Sequence, residues 1–190
     1  MPLNKGLAYA AWLLAGRVWL LAGRRERALR HFDAMLRRFP GERHPLASRA
    51  HLQALCGRND LAVADYRVLL ASTPGDATSW FNLGFLLEQQ GRAEAALDAF
   101  SSATEADPAL DRAWYGLGQV LAALGRHDEA AAALARNTRL QPMSPQGWAA
   151  LARVQLARRR PDEALRIIRH LQGFEPQVAA ALQRESGLAG

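Results

Sequence analysis

Trp12, Leu46, Trp80, Trp114 and Trp148 recur on one constant 34-residue period, and this interval constrains the fold more than any other feature of the chain. Ala28, Ala62, Ala96, Ala130 and Ala164 keep the same step without a break, as do Pro40, Pro74, Pro108, Pro142 and Pro176. Gly23, Gly57, Gly91 and Gly125 keep it too, with Arg159 as the exception. A period of roughly 20 to 50 residues marks a repeat architecture, in which each unit buries its apolar face only by stacking on its neighbours. The period divides the 190-residue chain into units at 9–42, 43–76, 77–110, 111–144 and 145–178, leaving 179–190 as a C-terminal cap or tail.

Each unit reads as two helices. In the third, Ala77 to Gln90 carries Trp80, Leu83, Gly84 and Leu87 at i, i+3, i+4, i+7, the spacing of one helix face. Gly91 follows where a helix commonly ends in a left-handed residue. A second helix is predicted over Ala93 to Ala106, with Ala96, Leu97, Phe100 and Ala103 on one stripe. Asp107-Pro108 stops it, because the residue before proline is pushed out of the α region. Small residues recur at Gly16, Ala50, Gly84, Gly118 and Ala152. A glycine inside a helix costs about 1 kcal/mol against alanine, so its repetition there points to close helix packing.

The order Trp, Leu-Gly, aromatic, Ala, Phe, Pro within each unit resembles the tetratricopeptide repeat (TPR). The third unit matches it best, through Trp80, Leu83, Gly84, Ala96, Phe100, Ala103 and Pro108. The second departs most, with Leu46 for Trp, Arg49 for Leu and Gln53 for the aromatic. The resemblance implies an all-α, right-handed α-solenoid of five helix-turn-helix repeats with a short C-terminal capping segment. It also implies that first helices line a concave groove and second helices form the convex back.

Composition narrows the function classes. Leu and Ala dominate, while Ile occurs only at Ile167 and Ile168, which suits helices. The single cysteine, Cys56, excludes an internal disulfide and reads as small buried packing. Leu7 to Gly23 is apolar apart from Arg17. That charge breaks the run of about 20 apolar residues a membrane span needs, so the stretch is assigned to the first helix of the array and the protein to the cytoplasm. No phosphate-binding, zincin or nucleophile-elbow motif is present. His44 and His51 stand two helical turns apart, or about 10.5 Å along the axis, too far to share a metal. No metal, cofactor or catalytic group is expected, and the chain is read as a non-enzyme.

Net charge is uneven: +5 over residues 1–42, +1 over 43–76, −4 over 77–110, +1 over 111–144 and +3 over 145–178. Arg24-Arg25-Glu26-Arg27 and Arg37-Arg38 mark the first unit, and Arg158-Arg159-Arg160 the last. Such clusters are solvated turns by default; the sharper alternative is docking to an anionic membrane or RNA. No polar column repeats as a base-reading code would require, so nucleic acid is disfavoured.

By the same resemblance, the groove carries Arg17, His51, Phe81, Asn82, Phe85, Arg112, Tyr115, Gln119 and Arg153. Phe81, Phe85 and Tyr115 are apolar rings on an expected open face, and aromatic and Arg anchors are what recognition surfaces enrich. The bland alternative is that the rings pack between neighbouring first helices. The positions matching a carboxylate-clamp TPR are Leu13, Arg17, Ser48, Thr78 and Asn82, which lack the clamp's lysines. The expectation is an adaptor or assembly factor holding a partner protein or peptide segment in the groove. The alternatives are a membrane- or RNA-associated protein using the Arg-rich ends, and a self-assembling scaffold using the apolar surface of the first unit.

Overall fold

The computed structural model describes residues 5–187. The described residues form eleven helices and no strand: α1 (Lys5–Leu21), α2 (Arg25–Arg38), α3 (Arg43–Leu55), α4 (Asn59–Ser72), α5 (Ala77–Gln89), α6 (Ala93–Ala106), α7 (Asp111–Ala123), α8 (His127–Leu140), α9 (Pro145–Ala157), α10 (Pro161–Gln172) and α11 (Pro176–Ser186). Each helix packs on the next. The first helices also touch one another in series (α3 on α5, α5 on α7, α7 on α9), and α11 packs on α9, whereas successive second helices share no comparable contact. An array whose first helices crowd together and whose second helices spread apart curves with the first helices inside.

The sequence columns acquire physical causes. The indole N–H of Trp80 donates to the Pro74 carbonyl at 2.8 Å, that of Trp114 to Pro108 at 3.0 Å and that of Trp148 to Pro142 at 2.8 Å. Each tryptophan, half-buried, therefore ties its unit to the carbonyl that closes the preceding one. The alanine column, Ala28 to Ala164, is fully buried. A Cβ at Gly84 would stand 2.8 Å from the Phe100 ring, and one at Gly118 would stand 2.5 Å from Leu134. Those glycines are where first and second helices approach too closely for any side chain. Gly91 ends α5 at φ 71°, and Arg159 holds the same left-handed place at φ 58°, a conformation that costs a non-glycine residue about 1–2 kcal/mol.

The core is divided. One cluster runs from Ala50 through Leu83, Phe100, Leu134 and Ile168 to Leu182. A separate, smaller one holds Ala28, Leu29, Phe32, Met35 and Leu52. Arg49 stands near the division, in the column that holds Leu83, Leu117 and Leu151 further along. Its guanidinium donates to both carboxylate oxygens of Asp65 at 2.7 Å and to Asp33 at 2.7 Å. Asp65 in turn replaces the alanine found at Ala99 and Ala133. The unit that matches the repeat least has thus exchanged an apolar pair for a partly buried ion pair.

Cys56, expected to be buried, is half-buried. It caps α3 where the chain leaves the helix and touches only the edge of the smaller cluster. The capping segment is a helix with Ala179 and Leu182 buried. Leu182 extends the column of Trp80, Trp114 and Trp148 by one more equal step, so α11 continues the array as the first helix of a further unit. Residues 188–190 of the expected cap lie outside the described residues. Among the described residues no helix is long and apolar enough to cross a membrane.

Candidate partner-binding groove

Arg17, His51, Phe85, Gln119 and Arg153 form one column at the repeat step, on the successive first helices that line the inner face. A second column brings Phe81 and Tyr115 beside it. Between α3 and α5 these helices leave a hollow of about 290 Å³, lined by His51, Tyr66, Phe81, Asn82, Phe85 and Leu86, with Ala54, Leu55 and Gln89 completing the wall. Tyr66 reaches it from α4. Burial pushes the Tyr66 hydroxyl up to about 12, against a smaller opposing pull from the Asn82 side chain, so it stays a neutral donor at neutral pH.

The two phenylalanines have different roles. Phe81 is half-buried, with its ring 5.9 Å from Phe100 and the Arg112 guanidinium 4.6 Å from its centroid. A cation over an aromatic face contributes roughly 0.5–2 kcal/mol, so this ring is engaged in packing. Phe85 stacks on the edge of that assembly at 6.4 Å and stays 45% exposed. The rings stand one helical turn apart, and only the outer one is free to meet another molecule.

Tyr115, Gln119 and Arg153 meet in a neighbouring hollow of about 240 Å³, with His127, Ala150 and Val154. Tyr115 is half-buried there. Arg153 donates through two nitrogens to Glu185 on α11, at 3.0 and 3.1 Å. That hydrogen bonding, and then the charge of Arg153, hold the Glu185 carboxyl below its ordinary range. Arg17 stands apart, exposed on α1 with no acidic partner among the described residues. Wider hollows of about 650 and 670 Å³ lie elsewhere. One sits at the turn beside Glu42, Arg43 and Asp76, and the other between α6 and α8, rimmed by Asp98, Arg126, Glu129 and Arg139. No group of three or more His, Cys, Asp or Glu residues is placed to hold a metal among the described residues.

The repeat period does not signal two of the residues gathered here. Tyr66 was visible as an aromatic on a second helix, but nothing in the period says that it floors the hollow. Glu185 lies in the segment read as a cap or tail, and nothing in the period says that it meets Arg153, although nearby Leu182 continues the tryptophan column. In the last unit Arg158 pairs with Asp128 at 2.7 Å and Arg160 with Glu163 at 2.9 Å.

Comparison with known proteins agrees with this geometry. MamA superposes with a TM-score of 0.83 at 19% identity, over 97% of this chain and 98% of its own. The fragment of MamA from residue 41 to its end, from Desulfovibrio magneticus RS-1, gives 0.78 at 19%, over 95% and 97%. YrrB, described as a TPR protein with an unusual peptide-binding site, gives 0.80 at 17%, over 91% and 90%. At such identities the likeness speaks for the fold. None of the curated proteins matches in sequence. A tetratricopeptide-repeat family model matches residues 4–43 and 56–111, a second matches 87–154 and a third 145–170. The chain belongs to the tetratricopeptide-repeat family.

Proposed function

We propose that this chain is a non-catalytic adaptor or assembly factor, working in the cytoplasm, that holds a segment of a partner protein in its concave groove. The observation that carries the reading is Phe85, an exposed aromatic ring in a column whose other members are Arg17, His51, Gln119 and Arg153. The hollow beside it is the size of one or two apolar side chains. Its rim offers His51, Asn82 and Gln89 for backbone hydrogen bonds. The preformed scaffold costs little ordering on binding, so one seated side chain can supply most of the affinity. YrrB, a TPR protein with an unusual peptide-binding site, has the same fold and supports a peptide as the partner class. Arg112 is engaged with Phe81 and Arg153 with Glu185. A preference for acidic side chains therefore falls to the Arg17–His51 side of the groove.

The test is selection of peptides from a displayed random library, followed by titration of the enriched peptides against wild type and Phe85→Ala. The variant should weaken binding at least tenfold, with little dependence on salt. Enriched peptides that bind Phe85→Ala as well as wild type would retire the groove as the site.

A further inference from the structure

The structure points to a second surface, which adjoins the groove at Arg17: we propose that the outer face of α1 seats on an anionic phospholipid bilayer, lying in the interface without crossing it. This helix is apolar on nearly every side, a condition that elsewhere means burial all round. Yet it buries only Gly16. Leu7 is 65% exposed, Leu14 63%, Val18 53% and Leu21 89%. At 3.6 residues per turn these side chains, with exposed Ala10 and Ala11, fall within an arc of about 100°. The opposite arc, through Tyr9, Trp12, Gly16 and Trp19, faces α2 and the smaller core cluster. The body of the protein therefore supplies the polar half of an amphipathic unit, and α1 supplies the apolar half.

The repeat itself argues against another protein unit as the occupant. Where Leu14 stands on α1, later first helices carry Ser48, Asn82, Gly116 and Ala150, residues short enough for a preceding unit to pack against. Where Leu21 stands, they carry Leu55, Gln89, Ala123 and Ala157. Long aliphatic side chains project from α1 where an internal joint mostly uses small or polar ones. Charge points the same way. From Lys5 to Arg25 there is no acidic residue. Lys5 opens α1 and Arg24 follows its end, while Arg17 stands at the edge of the apolar arc and Arg25 donates to the Leu55 carbonyl at 3.3 Å. Residues 1–42 carry a net +5, so a second copy apposed at this face would repel the first. Anionic headgroups would attract it, by about 1 kcal/mol for each basic residue near the surface. A helix of this length, Lys5–Leu21, spans about 25 Å, short of the roughly 30 Å hydrocarbon core. The geometry fits a helix lying flat with its leucines at the headgroup–acyl boundary.

Vesicle flotation of the full chain tests this, with phosphatidylcholine vesicles compared against vesicles containing about 30% phosphatidylglycerol, enough to give the surface a negative potential. Wild type should float with the anionic vesicles only, and raising the salt toward 1 M should release much of it as the Debye length falls to about 3 Å. Leu14→Ser/Leu21→Ser should cut partitioning about tenfold or more, while its helical signal and unfolding midpoint match wild type because both side chains are already exposed. Arg24→Gln should give a smaller loss. Three results would overturn the proposal: no flotation with anionic vesicles, equal flotation with neutral ones, or unchanged flotation of the double serine variant. A wild-type dimer that the serine variant converts to monomer would assign the stripe to a second copy and overturn it equally.

Discussion

The first and third units are written on one repeat plan and behave as different objects. In the third, the Trp80 indole is tied back to Pro74, Gly84 admits the Phe100 ring, and both helices join a core that continues to α11. In the first, Trp12 stacks on His31 at 5.1 Å, α1 packs substantially only on α2, and the core is the separate cluster around Phe32 and Met35. The joint that follows has Leu46 in the tryptophan column and the Arg49–Asp33–Asp65 ion triad instead of an apolar pair. In a solenoid each unit's stability is its own plus that of its two interfaces. The centre is packed against neighbours on both sides, and the start packs on one side with its other face open.

The sharpest way to break this comparison is at Arg49. Arg49→Leu leaves Asp65, with only 11% of its side chain exposed, without its partner, and should cost about 3–5 kcal/mol in denaturant unfolding. Adding Asp65→Ala recreates the Leu83–Ala99 pair of the third unit and should return stability to within about 1 kcal/mol of wild type. If the double variant is as unstable as the single, the ion pair is not a substitute for apolar packing. Next in size, Gly118→Ala drives a methyl onto the branching carbon of fully buried Leu134. Overpacking of about 1–3 kcal/mol outweighs the gain of up to about 1 kcal/mol from removing a helical glycine. The equivalent Gly16→Ala meets the buried Phe32 ring at 2.8 Å and His31 at 3.3 Å, on a helix that packs substantially only on α2, and should cost less, about 1 kcal/mol. Equal losses at the two sites would erase the distinction between centre and start.

Arg159→Gly relieves the left-handed strain at φ 58° and should stabilise by about 0.5–1 kcal/mol, after the extra entropy of the unfolded glycine. The smallest effect concerns acid. Because Arg153 lowers the Glu185 carboxyl in the folded chain, the contact stabilises α11 above the ordinary glutamate value near 4.5. It is lost as pH falls through and below that value. Hydrogen exchange of α11 should accelerate there in wild type and be insensitive to pH in Arg153→Gln after correction for intrinsic rates.

Much of this was legible in the period. The span of α6 is the predicted Ala93 to Ala106, and α5 ends at Gln89, just short of the expected Gln90. The columns encode contacts between adjacent units, and such contacts repeat with the chain. What the period hid are features that break it. Arg49 looked like a defect in a leucine column, yet its partners Asp33 and Asp65 come from the helices before and after its own. For Phe81 the sequence leaves packing and recognition both open, while Phe85 reads as a recognition ring. Phe100 and Arg112 decide which is covered, and both belong to other helices. An exposed apolar surface on the first unit is legible at Leu20 and Leu21, but Trp19 turns inward against the smaller cluster, because exposure depends on what fails to pack against a side chain.

The measurement that bears most directly on a rigid centre and a loosely joined start is native-state hydrogen exchange across all described helices. Amides in α5 through α8 should exchange only through global unfolding, while those of α1 and the first turns of α2 open at a free energy several kcal/mol lower. Uniform protection from α1 to α10 would contradict the account, showing that the ion-paired joint and the single-helix contact of α1 hold the first unit as firmly as the tryptophan–proline links hold the rest.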